Sequence, residues 1–184
     1  MNELIHNSQD EHYRQARKMF DQMDTIPIWN DSNQAISSTF NIFQQLADDY
    51  YGKAFYPLSK LYCHRQDVAE GEDQANCLAQ LAFEWCFFNQ SIQDVEIWCD
   101  LGRMHDEGYG AEQNDEQAMH WFRKAAEQGN STGQCELGVM YAEGRGIPQD
   151  NEEAVKWLKL AAEQGHAKAQ HSLGLMHANG QDTR

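Results

Sequence analysis

The fold of this chain is decided by residues 130–165, which read NSTGQCELGVMYAEGRGIPQDNEEAVKWLKLAAEQG. The preceding 36 residues, 94–129, align with this stretch without a gap and are identical to it at 16 positions. The pair Leu137-Gly138 recurs 36 residues earlier and 36 residues later, and Trp157 recurs at positions 121 and 85. A fixed period of a few tens of residues indicates a protein built from stacked structural repeats.

Each repeat is predicted to contain two helices. Residues 131–143 place apolar side chains at helical spacing, and Gly144-Arg145-Gly146 ends this helix, because glycine tolerates the left-handed backbone of a helix C-terminus. Asp150 followed by Glu153 has the pattern of a capping box, which predicts a second helix running to about Gln164. A two-helix unit leaves one apolar face open, so neighbouring repeats must cover it.

These residues resemble a known family. The pattern Leu-Gly-x-x-Tyr-x-x-Gly-x-Gly, a short turn and Ala-x-x-Trp-x-x-x-Ala-Ala-x-x-Gly spans residues 129–165 and resembles the Sel1-like repeat, a relative of the tetratricopeptide repeat. Residues 93–128 match nearly as well, with His105 in place of the tyrosine. The resemblance implies an all-α fold, a right-handed α/α superhelical solenoid of antiparallel helix pairs. It also implies a non-catalytic protein–protein interaction module that serves as an adaptor or scaffold, including in regulation and stress responses.

The repeat pattern divides the chain into five segments. We expect a degenerate N-terminal helical repeat or cap at 1–50, a divergent Sel1-like repeat at 51–92 with an insertion near 66–74, full repeats at 93–128 and 129–164, and a half-repeat capping helix at 165–184. Residues 4–23 are expected to supply a first helix. Pro57 removes a backbone donor, so a helix should start or kink there.

Charge and composition exclude several classes of function. The chain has 14 Lys and Arg against 29 Asp and Glu, a net charge of −15, which disfavours binding to nucleic-acid phosphates and to anionic lipid. No apolar run approaches the roughly 20 residues of a membrane span. The first residues lack the basic and apolar regions of a secretory signal, so we expect a cytoplasmic protein. The acidic surface either keeps the protein soluble or meets an unidentified basic protein or peptide.

Signs of catalysis and of metal binding are weak. Residues 129–133 fit the Gly-x-Ser-x-Gly nucleophile pattern, but that pattern requires a preceding strand and here a helix is predicted. The eight histidines include no close metal-binding pair such as His-Glu-x-x-His. We therefore predict that the chain is not an enzyme and holds neither a metal nor another cofactor.

The five cysteines are predicted to be free thiols. The resemblance implies that some secreted relatives carry a disulfide in each repeat with a regular seven-residue gap between cysteines, and no such gap occurs here. Cys99 and Cys135 lie at equivalent positions of stacked helices, which are about 8–10 Å apart and too distant for a bridge. Cys63 and Cys77 flank the insertion and are the one pair that could meet. An odd number of irregularly spaced cysteines favours a reducing compartment.

A binding groove is expected on the first helix of each repeat. In tetratricopeptide-like stacks these helices line the concave side, where ligands usually bind. With the apolar stripe buried, the outward residues form a mixed-charge groove that is acidic at its centre. They are Lys53, Lys60, His64, Glu96, Asp100, Arg103, Thr132, Glu136, Val139, Lys168 and Ser172. An ordinary solvated surface explains any single one of them equally well.

Trp98 departs from the repeat pattern, because the next two repeats have Gln134 and Gln170 at its position. A partly exposed tryptophan is often an interface anchor, so we hypothesise that Trp98 contacts a partner. The alternative is that Trp98 packs against Phe87 or Phe88.

Two other functions stay open from sequence alone. One is a hydrolase or cell-wall-fragment-binding protein that uses the groove, and the other is a structural protein that self-assembles through its open solenoid ends.

Overall fold

The computed structural model describes residues 2–23, 34–48, 51–64 and 71–180, and all regular secondary structure within them is helical. The helices are α1 (Asn2–Met23), α2 (Gln34–Asp48), α3 (Phe55–His64), α4 (Gly71–Phe88), α5 (Val95–Glu107), α6 (Asp115–Glu127), α7 (Ser131–Glu143), α8 (Asn151–Glu163) and α9 (Ala167–Ala178). The predicted all-α fold class is confirmed. None of the described helices is long and apolar enough to cross a membrane. The chain forms two units, Met1–Cys86 and Phe87–Arg184.

The unit Met1–Cys86 has an aromatic core. Helix α2 packs against both α1 and α3, and Phe43 on α2 is fully buried. The rings of Tyr13 and Phe20 on α1 meet Phe43 edge-on, each with its centroid 6.0 Å away. The helix expected at residues 4–23 is therefore present as α1, and its apolar face is held by aromatic contacts.

Pro57 lies inside α3, which begins two residues before it, so the first of the two expectations, a helix that starts at Pro57, is wrong. A short 3-10 turn, Gly52–Ala54, leads directly into Phe55, the first residue of α3. Pro57 is thus in the first helical turn, where backbone N–H groups have no partner within the helix, so its missing donor costs nothing there. Of the predicted insertion at 66–74, residues 66–70 lie outside the described ranges, and residues 71–74 open α4.

The unit Phe87–Arg184 consists of successive helix pairs. Helix α5 packs on α6 and α7 packs on α8, while α6 contacts α7 and α8 contacts α9. The predicted ends of the central pair are confirmed, since α7 spans Ser131–Glu143 and α8 stops one residue before Gln164. Gly144 takes the left-handed conformation after α7, with φ of 70°. The Asp150 side chain caps α8 by accepting from the backbone N–H groups of Glu152 and Glu153 at 3.0 and 3.1 Å.

The leucine–glycine pair of the repeat is explained by close helix packing. A Cβ atom added to Gly138 on α7 would lie 2.7 Å from Cγ of Leu158 on α8. One repeat earlier, a Cβ on Gly102 would lie 2.6 Å from the ring of Phe122. Atoms this close overlap, so only glycine allows the second helix of each pair to approach this distance. At Gly174 on α9, by contrast, no described atom lies within 4 Å of the same position.

Arg145 links the turn after α7 to the preceding repeat. Its guanidinium contacts Asp106 at the end of α5, Glu143 at 2.8 Å and Asp115 at the start of α6 at 3.6 Å. Burial alone would lower the pKa of Arg145, but the hydrogen bonds and charges of Asp106 and Glu143 outweigh it and raise the pKa. The side chain therefore stays charged and fixes the turn against its neighbour.

Candidate protein-interaction face

The candidate site is the outward side of α5, α7 and α9, called here the first-helix face. At its centre Lys168 on α9 donates to both carboxylate oxygens of Glu136 on α7, each at 2.7 Å. Glu136 is 14% exposed and Lys168 is 51% exposed. Burial alone would lower the pKa of Lys168, yet the charge and hydrogen bonds of Glu136 raise it. The pair therefore stays ionised and joins two successive first helices.

Arg103 on α5 acts electrostatically on the same pair. Its positive charge acts to lower the pKa of Lys168 and the pKa of the Cys135 thiol on α7. Glu136 and Lys168, two of the predicted residues from successive repeats, are thus brought together by the stacking of their helices. Cys135 is fully buried, and burial together with the charge of Glu136 raises the pKa of its thiol to about 12. This thiol stays protonated at neutral pH and is a poor nucleophile.

Asp100 does not lie on this face, and the expectation of an acidic centre is wrong. The residue is only 2% exposed, within a run of consecutive buried residues at 97–102 on α5. Burial of such a run means that α5 is covered on more sides than a single apolar stripe predicts. Glu136, the other acidic residue expected at the centre, is paired with Lys168. The middle of the face is therefore an ion-paired cluster of mixed charge.

Trp98 is also buried, being 7% exposed, so the expectation of a partly exposed anchor is wrong. Its indole Nε1 donates to the carbonyl oxygen of Gln90 at 3.1 Å, and the Lys124 ammonium lies 5.0 Å from its ring centroid. Phe88, one of the two residues proposed to pack against it, is 85% exposed. Trp98 thus contributes to the inside of its repeat, where the ring is covered and its polar atom has a partner.

A shared hydrogen bond explains why position 98 is tryptophan, whereas the equivalent positions of the next two repeats are Gln134 and Gln170. Gln134 donates its side-chain amide to the carbonyl oxygen of Ala126 at 3.4 Å, and Gln170 donates to that of Ala162 at 3.3 Å. In all three repeats the donor lies eight residues after the acceptor. The shared feature is an N–H donor that links a first helix to the end of the preceding second helix or, for Trp98, to the turn just after it. This signal was present in the sequence, since tryptophan and glutamine both carry such a donor.

The remaining predicted residues are distributed over both units. Half-buried side chains of the first-helix face are Glu96 on α5, Thr132 and Val139 on α7, and Ser172 on α9. Val139 also packs against the core of its repeat. In the unit Met1–Cys86, Lys53 has its ammonium 5.7 Å from the ring centroid of Tyr13, and Lys60 is half-buried on α3. The side chain of His64 lies outside the described part of the chain.

Other candidate chemistry finds little support in the described residues. Ser131 opens α7 directly after the turn that follows α6, so the strand required by the nucleophile pattern is not there. No group of three His, Cys, Asp or Glu side chains in the described ranges could hold a metal ion. No disulfide links the five cysteines, and Cys63 and Cys77 are exposed.

Comparison with known families accounts for the repeating geometry. The model of the Sel1 repeat matches residues 99–130, 131–166 and 167–184. Residues 99–184 carry three Sel1 repeats. The breaks between the matched repeats follow Asn130 and His166, the residues that cap α7 and α9. No curated protein sequence matches the chain.

Two solved structures with Sel1-type folds are similar to the chain. One is a protective antigen present in uropathogenic Escherichia coli strains that displays an SLR fold, with 27% identity and a TM-score of 0.54 over 94% of this chain. The other is a Sel1 repeat protein from Oxalobacter formigenes, with 24% identity and a TM-score of 0.55 over 90% of this chain. This chain covers 34% of the first protein and 63% of the second. The second likeness concerns the fold alone.

Proposed function

We propose that the chain is a non-catalytic protein-interaction module that binds a protein or peptide on the first-helix face. Sel1 repeats are generally modules of protein–protein interaction. The observation that carries the proposal is the ion-paired cluster of Glu136 and Lys168, because it joins side chains of two successive repeats in one surface, on which the charge of Arg103 from a third repeat also acts. A partner lying across this surface would contact all three repeats at once.

The side chains around the cluster suit a polypeptide ligand. Val139 is half-buried and Leu175 is exposed one repeat further on, so the face offers apolar area beside its ion pair. Mixed surfaces of this kind are typical of interfaces between soluble proteins. The net charge of −15 favours a basic partner through long-range attraction. The odd number and irregular spacing of the cysteines favour a reducing, cytoplasmic location.

A charge swap tests the proposal without breaking an ion pair. In the double variant Glu136→Lys with Lys168→Glu, the pair and the net charge are kept while the polarity of the face is reversed. The matched control is Glu153→Lys with Lys156→Glu, which reverses the exposed 2.6 Å pair on the second helix α8. Asp100 is unsuitable for such a test, because charge reversal at a buried carboxylate would unfold the repeat.

Crosslinked affinity capture from the native host, followed by mass spectrometry, would compare the two variants with the parent protein. We expect the swap on α7 and α9 to lose partners that the parent and the α8 swap both retain. Equal capture by all three proteins would contradict binding on the first-helix face. Turnover or stabilisation by small molecules in place of protein capture would instead favour the hydrolase or cell-wall-fragment alternative.

A further inference from the structure

Helix α9 exposes a side that the equivalent helix α7 covers. On α7 this side holds two buried and then two half-buried residues, which are Cys135, Gly138, Val139 and Ala142. Their counterparts 36 residues later are all exposed, and they are His171, Gly174, Leu175 and Ala178. The spacing i, i+3, i+4 and i+7 places these four residues on one face of the helix. We call them the open face of α9.

On α7 the second helix of the same pair covers this side. Leu158 of α8 lies over Gly138, where an added Cβ atom would be 2.7 Å from Cγ of the leucine and 3.2 Å from the carbonyl oxygen of Ala154. Ala154 and Ala161, one turn before and one turn after Leu158, are fully buried in the same apolar cluster as Cys135. The inner side of α8 therefore consists of one large apolar side chain flanked by two alanines.

The same arrangement occurs one repeat earlier and is missing at α9. Phe122 of α6 lies over Gly102 on α5, and the flanking Ala118 and Ala125 are fully buried. At Gly174 no described atom lies within 4 Å of the position of a Cβ atom. The packing surface of the first helices thus continues onto α9, but the described residues do not supply the large side chain that fills it in the two complete pairs.

The charges of α9 fit a helix of the same kind as α6 and α8. Both of these helices begin with two acidic residues. The backbone N–H groups of their caps, Asn114 and Asp150, donate to the carbonyl oxygens of His105 and Tyr141 near the ends of α5 and α7, so each acidic first turn lies beside the last turn of a first helix. Helix α9 contains Lys168 and no acidic residue, in a chain with a net charge of −15. A helix with an acidic first turn would therefore meet no like charge from α9.

We propose that the open face of α9 binds an amphipathic helix of a partner protein. This helix lies antiparallel to α9 and has the chemistry of the inner side of α8. It places a large apolar side chain over Gly174, has small residues one turn before and one turn after that side chain, and begins with an acidic turn. Burial of one apolar helix face in a matching groove is a common mode of recognition. The open face borders the first-helix face at Leu175, but docking there requires neither Glu136 nor Lys168.

A peptide with the sequence of residues 148–165 carries the inner side of α8 and is the probe for this site. A lactam bridge between its Glu152 and Lys156, which are both exposed on α8, keeps the peptide helical, because isolated helices of this length are marginal in water. The probe is titrated into the isotope-labelled full chain, and backbone amide shifts are followed by NMR. We expect saturable shifts centred on residues 171–178. The control peptide Leu158→Ala lacks the large side chain and should bind at least about tenfold more weakly.

Two variants of the full chain locate the site. Gly174→Ala puts a methyl group where the large side chain of the probe should lie, and it should weaken binding by about tenfold. Gln170→Ala changes a side chain that donates to the carbonyl oxygen of Ala162 on α8, and it should bind the probe as the parent protein does. Equal affinity of Gly174→Ala and the parent, shifts confined to α7, or no binding of the probe would each overturn the proposal.

Sedimentation of the parent protein without the probe tests the other occupant of this face, a second copy of the chain. We expect the sedimentation coefficient to be the same at low and high protein concentration. Self-association that Gly174→Ala abolishes would overturn the assignment to a partner protein, because the open face would then join two copies of this chain.

Discussion

The two units of this molecule bury their helices by different means. In Met1–Cys86, rings from α1 meet Phe43 of α2 edge-on, and large side chains fill the space between helices. In Phe87–Arg184, Gly102 and Gly138 remove side-chain volume so that the second helix of each pair can approach. The close helix contacts of the second unit need a small residue at a fixed position of the repeat, so they appear in the sequence as a 36-residue pattern. Aromatic side chains can pack in many arrangements, so the 36-residue pattern is weaker in the first unit.

One contact in the first unit resembles the glycine packing of the second. A Cβ atom on Gly52, in the 3-10 turn before α3, would overlap the ring of Trp85 on α4. Trp85 keeps the 36-residue register with Trp121 and Trp157. This contact supports our proposal that 51–92 is a divergent repeat in which the position of the glycine has shifted.

The largest predicted effect on stability lies in the aromatic core of the unit Met1–Cys86. Replacing Phe43 by alanine removes the ring that meets both Tyr13 and Phe20 and leaves a cavity, so we expect a loss of about 3–5 kcal/mol in the free energy of unfolding. Urea unfolding followed by circular dichroism measures this loss. Phe43→Leu keeps most of the volume and should cost clearly less. Equal losses for both variants would show that the edge-on ring contacts, and not the filled volume, stabilise this unit.

A second prediction concerns two glycines at equivalent positions of the repeat. Gly138→Ala places a methyl group against Leu158 and should lower the free energy of unfolding by about 1–3 kcal/mol. Gly174→Ala meets open space within the described residues and should raise it by about 0.5–1 kcal/mol, because alanine favours the helix. Opposite signs in the same unfolding assay are the expected result. A loss for both variants would mean that the face of α9 is covered in solution.

Local features of the second unit could be predicted from the sequence with good accuracy. The bounds of α7 followed from its apolar spacing and from Gly144, and the start of α8 followed from Asp150. Each of these signals acts within one helix or turn, so a single repeat contains all the information. The first unit lacks such regular signals, and there the sequence predicted α1 but left a start and a kink open at Pro57, whereas α3 starts at Phe55.

The composition of the first-helix face was harder to predict, because it depends on which sides of each helix are covered. Glu136 and Lys168 were both expected to point outward, but their pairing depends on the offset between α7 and α9. Asp100 has the same place in its repeat as Glu136, and yet it is buried. Helical spacing gives the angle of a side chain around its own helix, whereas burial depends on the neighbours that the helix packs against.

The smallest predicted effect tests an aromatic residue within the glycine-based unit. Trp98→Phe keeps a large ring but removes the N–H that bonds to the carbonyl of Gln90, so we expect a loss of about 1 kcal/mol in the free energy of unfolding. Gln170→Met removes the equivalent donor where the bond is exposed, and water can replace it there, so its effect should be close to zero. If Trp98→Phe and Gln170→Met lower the free energy of unfolding equally, burial does not determine how much this hydrogen bond contributes to stability.

The same variant also separates structure from binding at Trp98. A buried indole whose N–H has a partner inside the repeat has little surface to offer another protein. Trp98→Phe should therefore retain the partners that the parent protein captures, even though it unfolds at a lower urea concentration. Loss of those partners from a variant that is still folded would restore Trp98 as an interface anchor, and it would require the α4–α5 turn to open when a partner binds.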